Sequence, residues 1–449
     1  MQSISIFSKI IRFFVAFVVA VSLFCFESHA DDCVLGTDGC APEFTVTTTE
    51  LSAGTTFSFE ISAAGTYYID WGDGGEIETI VKGTVDEQTI THTYTNAGQY
   101  TIGMSGQATL YSTFHNTSIM TAAISFRNNT NISGISGSLG AIFGTLADRV
   151  NSDGTLMSDA RPRFYNTFRN CSNLSGNIPE NLFAGISGAP ASYMFYYTFA
   201  YSSNLSGNIP ENLFAEIKGK PAYSMFDGTF FGCSGLSGSI PENLFAGISG
   251  APAYSMFKNT FYNCSGLSGS IPENLFAGIK GAPADSMFIN TFSGCSGLSG
   301  SIPENLFAGI NGAPASYMFA STFYGCRGLS GSIPENLFAG ISGAPVSNMF
   351  LGTFSGCSGL SGYVPANLFT GIDKTTTASY QMKDVFNGTG LETSCPASMY
   401  QYLTGFESDF QGKVACEVCP ANFPDSDVGD NATIDKCYTA CPEKVDDPL

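Results

Sequence analysis

A strict internal repeat constrains this chain more than any other feature of its sequence. The string Ile-Pro-Glu-Asn-Leu-Phe-Ala occurs six times at steps of 31 residues, and a diverged seventh copy follows at the same step. The copies begin at Ile178, Ile209, Ile240, Ile271, Ile302, Ile333 and Val364. Phenylalanine and methionine positions keep the same step, so each unit offers apolar side chains that only the next unit can cover. The repeat therefore predicts a solenoid, in which one structural unit is stacked on copies of itself.

The unit at residues 236–266 shows what each repeat is expected to form. Residues 236–240 predict a short extended segment, and residues 241–248 predict a first short helix that has proline in its opening turn. A second helix is predicted from apolar and small residues at helical spacing, namely Met256, Phe257, Thr260, Phe261 and Cys264. We expect an α/β solenoid over residues 164–390. Residues 109–163 are expected to be degenerate units that cap it, because a terminal unit must face water.

The repeat also resembles the BspA-like leucine-rich repeats of surface proteins. From Phe261 the chain reads Phe-x-x-Cys-x-x-Leu and then Ile-Pro, and those repeats likewise place a cysteine before the leucine strand and a proline after it. The resemblance runs from Phe164 to Gly390 and implies a leucine-rich-repeat-like solenoid used for adhesion. The unit of 31 residues is longer than is typical of that family, so the curvature of the family cannot be carried over.

Residues 43–108 predict a separate domain made of short strands between turn residues. Two strings in this stretch, Tyr-Ile-Asp-Trp-Gly-Asp-Gly from Tyr68 and Thr-His-Thr-Tyr-Thr-Asn-Ala-Gly from Thr91, resemble the polycystic-kidney-disease (PKD) domain. That resemblance implies an immunoglobulin-like β-sandwich. Three acidic residues near the first string are either ordinary turn residues or calcium ligands, namely Asp70, Asp73 and Glu76.

The amino terminus predicts export. Lys9 and Arg12 precede an apolar run that ends at Phe26, and Ala30 closes a small-residue cleavage site, so residues 1–30 are interpreted as a signal peptide. A retained membrane anchor is the alternative, although the run is short for a span. No second apolar run follows, so no transmembrane segment is expected after signal removal. The protein is therefore expected to be secreted or at the cell surface, with residues 31–42 as a short cysteine-containing linker.

Charge and histidine content narrow the classes of function. Lysine and arginine total 18 against 38 aspartates and glutamates, which gives a formal net charge of −20. Nucleic-acid binding depends on basic surface, so no nucleic-acid partner is expected. Only three histidines occur, at positions 29, 92 and 115, and no nucleophile lies near a base in the repeats. We therefore expect neither an enzyme nor a cofactor.

The 14 cysteines fall into two groups once Cys25 is assigned to the signal peptide. One group is a column in the repeats, where Ser202 replaces cysteine once, and we expect these thiols to be buried and unpaired. Its members are Cys171, Cys233, Cys264, Cys295, Cys326 and Cys357. The other group is expected to form disulfides, with a zinc site as the alternative for the last four. It comprises Cys33, Cys40, Cys395, Cys416, Cys419, Cys437 and Cys441, of which the last five lie in a cysteine-rich tail at residues 391–449.

A column of six glutamates also follows the repeat. Each lies three residues after a small polar residue, as Glu242 follows Ser239, which is the spacing of a helix capping box. The alternative is an acidic stripe that binds cations or a basic partner. Its members are Glu180, Glu211, Glu242, Glu273, Glu304 and Glu335.

Two columns vary between otherwise similar units, which is typical of a solvent-facing surface. The first follows Met-Phe, and the second lies four residues later, so both are expected on one helical face. Their aromatic members are the predicted ligand-binding residues: Tyr165, Tyr196, Phe231, Tyr262 and Tyr324. We expect an exported, non-enzymatic protein that adheres to an extracellular protein; a glycan-binding module is the alternative. The oligomeric state does not follow from the sequence.

Overall fold

The structure of the protein is a computed structural model. It describes residues 35, 40–113, 121–376, 378–379, 381–395, 399–401, 405–418, 425–426 and 437–438. The predicted signal peptide and Cys33, Cys419 and Cys441 lie outside the described residues. The chain divides into two compact units, residues 1–41 and 42–449. All of the described strands belong to the second unit.

Two antiparallel sheets form the amino-terminal part of this second unit. The five-stranded sheet has the order β4-β3-β6-β1-β8, and the three-stranded sheet has the order β5-β2-β7. The strands are β1 Phe44–Thr48, β2 Thr56–Ile61, β3 Ala64–Asp70, β4 Glu78–Lys82, β5 Gln88–Thr93, β6 Thr101–Leu110, β7 Ile124–Ser125 and β8 Ile132–Gly137. This arrangement is compatible with the β-sandwich expected here.

Side chains that alternate along the strands form the core between the sheets. Phe57, Phe59 and Ile61 of β2 are buried, as the alternation in the sequence predicts. The Phe59 ring centroid lies 6.0 Å from that of Trp71, which follows β3 in the other sheet. The apolar face of each sheet is thus covered by the other.

The last strand of each sheet along the chain, β7 or β8, lies in residues 109–163, which were expected to be degenerate capping units. β7 pairs with β2, and β8 pairs with β1, so the sheets extend beyond residue 108. Between these strands, the Phe126 amide donates to the Thr167 carbonyl at 2.7 Å. The segment therefore completes both sheets and also bonds to the first repeat.

The two short helices predicted in each repeat are not formed. Among the described residues of 164–390 there is no helix, and the only α-helix in the described part of the chain is the single turn Leu139–Ile142. Short 3₁₀ turns occur at Ser158–Ala160 and Glu407–Asp409. The apolar spacing that predicted the second helix belongs to a run of consecutive tight turns.

The amides in that run alternate between two kinds of partner. In residues 255–264 every second amide donates to the carbonyl three residues earlier, as Thr260 does to Phe257 at 3.3 Å. The amides in between donate to the next unit, as Phe261 does to the Thr291 carbonyl at 2.9 Å. An α-helix would use all these amides internally. The alternation instead joins each unit to its neighbour.

A left-handed residue recurs every four positions in the turn run. One unit has positive φ at Tyr193, Tyr197 and Tyr201, and the unit at 255–264 has it at Ser255, Asn259 and Asn263. Glycine and asparagine adopt this conformation most readily, which explains their frequency at these positions. The four-residue period of the turns imitates the i, i+4 spacing of a helix, and for this reason the sequence pattern predicts helices that do not form.

Three ladders of phenylalanine rings fill the centre of the stacked units. Phe226 stacks on Phe257 at 5.7 Å with 3° between the ring planes, and Phe230 stacks on Phe261 at 5.7 Å. A third ladder continues through Phe245 and beyond at ring distances near 6.2 Å. Offset aromatic stacking at such distances adds to the stabilisation from buried area. The apolar columns of the repeat therefore form one continuous core.

The tail covers the last unit. The Val364 amide donates to the Val414 carbonyl at 2.9 Å, and a disulfide joins Cys395 to Cys416. Its short strands are β9 Met399–Gln401, β10 Cys416–Val418, β11 Asp425–Ser426 and β12 Cys437–Tyr438, paired as β9 with β10 and β11 with β12. Cys40 is also in a disulfide. Helices with the length and apolar character for a membrane crossing do not occur in the described parts of the chain.

Candidate binding surface

Nine aromatic side chains on the first repeats form one connected surface, here called the aromatic patch. Neighbouring rings lie 4.4 to 5.6 Å apart, measured between centroids. The members are Tyr165, Tyr193, Tyr196, Tyr197, Tyr201, Tyr223, Phe231, Tyr254 and Tyr262. Tyr201, Tyr223 and Tyr254 are 41 to 44% exposed, while the others are partly buried against their neighbours. Each ring is thus held in place by at least one other ring.

Four of the five predicted ligand-binding residues lie in this patch. Tyr165 stacks on Tyr196 at 5.3 Å, and Phe231 stacks on Tyr262 at 4.4 Å. Tyr197 bridges these pairs, because its ring contacts both Tyr196 and Phe231. Tyr324 is the fifth and is 50% exposed, two units beyond Tyr262 in the repeat. No ring contact joins it to the patch among the described residues.

Five members of the patch do not follow from the variable columns of the sequence. Tyr193, Tyr197 and Tyr201 occupy left-handed positions, and Tyr223 and Tyr254 lie two residues before the core methionines. A helical interpretation places the left-handed column away from the variable face. The signal that was available is the local density of tyrosine between residues 193 and 201.

A glycine in the following unit makes space for the Tyr197 ring. At Gly228, a Cβ atom would come within 2.5 Å of the Tyr197 ring, and φ there is +66°. Glycine therefore allows the Tyr197 ring to lie over the next unit. On the other side, the Arg169 guanidinium lies 5.4 Å from the centre of the Tyr197 ring and 5.8 Å from that of Tyr201. These cation–π contacts fix one edge of the patch.

The variable columns are less uniformly exposed than their variation predicts. Asp227 occupies the Tyr196 position in the next unit and is only 3% exposed. Lys258 Nζ lies 3.8 Å from Asp227 Oδ2, and Asn259 Nδ2 donates to Asp227 Oδ1 at 3.2 Å. Burial outweighs both contacts and raises the pKa of Asp227 to about 7. The variable columns therefore contain buried polar side chains as well as side chains that face solvent.

The glutamate column lines a shallow groove of about 1190 Å³ on the repeats. Its side chains do not cap helices, since none is formed there. Five of the six, from Glu211 onward, accept a hydrogen bond from an asparagine of the next unit, as Glu211 Oε1 does from Asn243 Nδ2 at 3.0 Å. In the seventh unit Ala366 replaces glutamate, and no eighth copy of the asparagine follows it. The column thus links neighbouring units.

The cysteine column is buried and unpaired, which confirms the prediction for its six thiols. Each thiol also donates to a phenylalanine carbonyl of the preceding unit, as Cys264 Sγ does to Phe230 at 2.9 Å. Ser202 Oγ makes the same bond to Phe168 at 2.6 Å. Burial raises the pKa of Cys233 to about 12, so these thiols are not ionised near neutral pH. This chemistry suits structure rather than nucleophilic attack.

The acidic turn in the first sheet binds its own backbone. Asp70 Oδ1 accepts from the Gly72 amide at 2.8 Å, and Asp73 Oδ1 accepts from the Gly75 amide at 3.0 Å. Asp73 Oδ2 lies 2.9 Å from His92 Nε2. The Gly75 hydrogen bond, followed by the contact with His92, lowers the pKa of Asp73. Within the described residues, no three carboxylate, histidine or cysteine side chains converge to hold a metal ion.

Comparison with known proteins adds no relative to this description. No protein-family model, curated protein or solved structure matches the chain.

Proposed function

We propose that this is an exported, non-enzymatic protein that adheres to an extracellular protein through the aromatic patch. The patch carries the proposal, because rigid aromatic side chains provide large contact area at little cost in conformational entropy. Its rings already hold one another in place. The signal-like amino terminus supports a secreted or cell-surface location. We also propose that residues 164–390 are related to BspA-like leucine-rich repeats. The amino-terminal sheets are proposed to be a PKD-like domain.

A glycan ligand is the second candidate. It is favoured by five tyrosines that are 40 to 50% exposed, Tyr201, Tyr223, Tyr254, Tyr317 and Tyr324. A tyrosine offers an apolar ring for a sugar face together with a hydroxyl group for hydrogen bonding. Of these five, three lie within the patch, so the same surface serves both candidates.

A paired screen tests the proposal. The purified protein is applied to a panel of extracellular matrix proteins and, beside it, to a glycan array. Saturable binding to a matrix protein without change in its mass supports protein adhesion, and selective binding to sugars alone supports the second candidate. Cleavage or modification of a bound component would contradict a non-enzymatic role.

A further inference from the structure

A small basic cavity lies at the edge of the aromatic patch. It has a volume of about 460 Å³ and is lined by Arg127, Asn128, Arg169, Asn170 and Tyr201. Two guanidinium groups from successive layers thus line one cavity, on a chain whose net charge is −20. We propose that this cavity, here called the arginine pocket, binds a carboxylate-bearing sugar residue.

The charges of the pocket are available to a ligand. Among the described residues, no carboxylate lies within ion-pair distance of Arg127 or Arg169. Glu60 is close enough to feel the charge of Arg127 without pairing with it. Arg169 is held over the Tyr197 and Tyr201 rings, which leaves less freedom to lose on binding. The Arg169 guanidinium can pair with both oxygens of a carboxylate, and Arg127 adds a second positive charge to the same cavity.

The neutral residues of the pocket favour a sugar over other anions. Asn170 Nδ2 donates to Asn128 Oδ1 at 3.1 Å, which leaves the other amide hydrogen of Asn170, both amide hydrogens of Asn128 and the Asn170 oxygen for a ligand. Such a pair both donates and accepts, as the hydroxyl groups of a sugar require, whereas simple anions such as acetate and sulfate only accept. Tyr201 is 43% exposed and offers an apolar ring at the rim. The negative net charge disfavours polyanions but tolerates one ligand charge.

This inference deepens the glycan candidate for the proposed function, on which it rests, by naming the ligand chemistry at one edge of the patch. Its test uses monosaccharides and the purified full-length protein. Glucuronic and galacturonic acid are titrated beside glucose and galactose, with acetate, sulfate and N-acetyl-aspartate amide as further probes, by saturation-transfer NMR. The uronic acids should bind at least about tenfold more tightly than any other probe. Sodium chloride should weaken their binding, because salt screens the charges.

Three variants that each remove one positive charge locate the site. Arg127→Gln and Arg169→Gln should each weaken uronic acid binding by roughly tenfold, because each removes a charged hydrogen-bond partner. Arg127 is exposed, so its variant keeps the fold even where Arg169→Gln disturbs the rings. Arg327→Gln removes an exposed arginine outside the pocket and should change nothing.

Three results would overturn the inference: equal binding of glucose and glucuronic acid, equal binding of acetate or the aspartyl amide, or full binding by Arg127→Gln. Adhesion to a matrix protein that persists beside such a result leaves the proposed function intact. Uronic acid binding without any adhesion would remove the proposed function instead.

Discussion

At the scale of single residues, hydrogen-bond donors determine what can occupy the buried columns. The cysteine position accepts serine because Ser202 donates to the same carbonyl that a thiol would reach. The neighbouring threonine column follows the same rule, since Thr260 Oγ1 donates to the Phe226 carbonyl at 3.1 Å across the units. The residues found at these positions are small and carry a hydrogen-bond donor, so we expect both properties to matter there.

This rule predicts different costs for two small substitutions at Cys264. Cys264→Ser keeps the donor to the Phe230 carbonyl and should lower the free energy of unfolding by about 1 kcal/mol or less. Cys264→Ala removes the donor and leaves a gap, so it should cost about 1 kcal/mol more than serine. Urea denaturation of both variants measures the difference. Equal stability of the two variants would show that size alone matters.

A buried carboxylate predicts a pH dependence of stability. The folded-state pKa of Asp227 is about 7, above its model-peptide value, so the folded protein holds this proton more tightly than the unfolded chain. Stability should therefore fall as the pH rises from about 4 to about 7, and level off above that. Asp227→Asn should melt several degrees above wild type at pH 8 and close to it at pH 4.5. The charged and ionisable groups around Asp227 are Lys258, Tyr193, Tyr196 and Tyr197, and all remain in the variant.

Identical melting differences at both pH values would contradict this account of Asp227. The comparison cancels the other titrating groups, because they are common to both proteins.

At the scale of elements, the unit is a run of turns whose hydrogen bonds are half internal and half shared. Amides such as that of Phe261 donate to the following unit, and the side chains of Cys264 and Thr260 donate to the preceding one. Three phenylalanine ladders run through the same interface. Each unit therefore depends on both neighbours, and the period fixes the register of all these contacts.

Removal of one full period should be tolerated. Deletion of residues 267–297 removes 31 residues and restores every ladder between the flanking units. Stability in such arrays is nearly a sum over neighbouring interfaces, so the protein should fold and melt cooperatively at a somewhat lower temperature. Deletion of residues 267–286 shifts every later column out of register and should abolish cooperative melting. Circular dichroism melts that lose cooperativity equally in both proteins would contradict this view.

At the scale of the whole molecule, the sequence predicts what repeats and what is buried better than it predicts backbone conformation. The structure keeps the repeat step predicted from Ile240 to Ile271. It also confirms the buried cysteine column and the alternation of buried side chains in β2. The two helices predicted in each repeat are absent from the described residues, because turns with a left-handed residue at every fourth position imitate helical spacing. For the same reason, the variable columns of the sequence predict only part of the patch. Tyr196 and Phe231 follow from variation between units, whereas Tyr197 follows only from its backbone conformation.

The central claim is that the aromatic patch makes the adhesive contact, and a matched pair of triple variants tests it. Tyr196→Ala, Phe231→Ala and Tyr262→Ala together remove three rings from the patch. Ile289→Ala, Leu351→Ala and Tyr363→Ala remove partly buried side chains of the later units outside it. Both proteins should still melt cooperatively, a few degrees below wild type, because the side chains removed are only partly buried and lie outside the phenylalanine ladders.

Surface plasmon resonance on the matrix protein identified by the screen then gives the dissociation constants. The patch variant should bind roughly tenfold or more weakly than wild type, since losing one aromatic anchor alone often costs above about 1 kcal/mol, and the control variant should bind like wild type. Wild-type affinity of the patch variant, together with loss of binding by Glu242→Gln and Glu273→Gln, would place the contact in the glutamate groove and contradict the account.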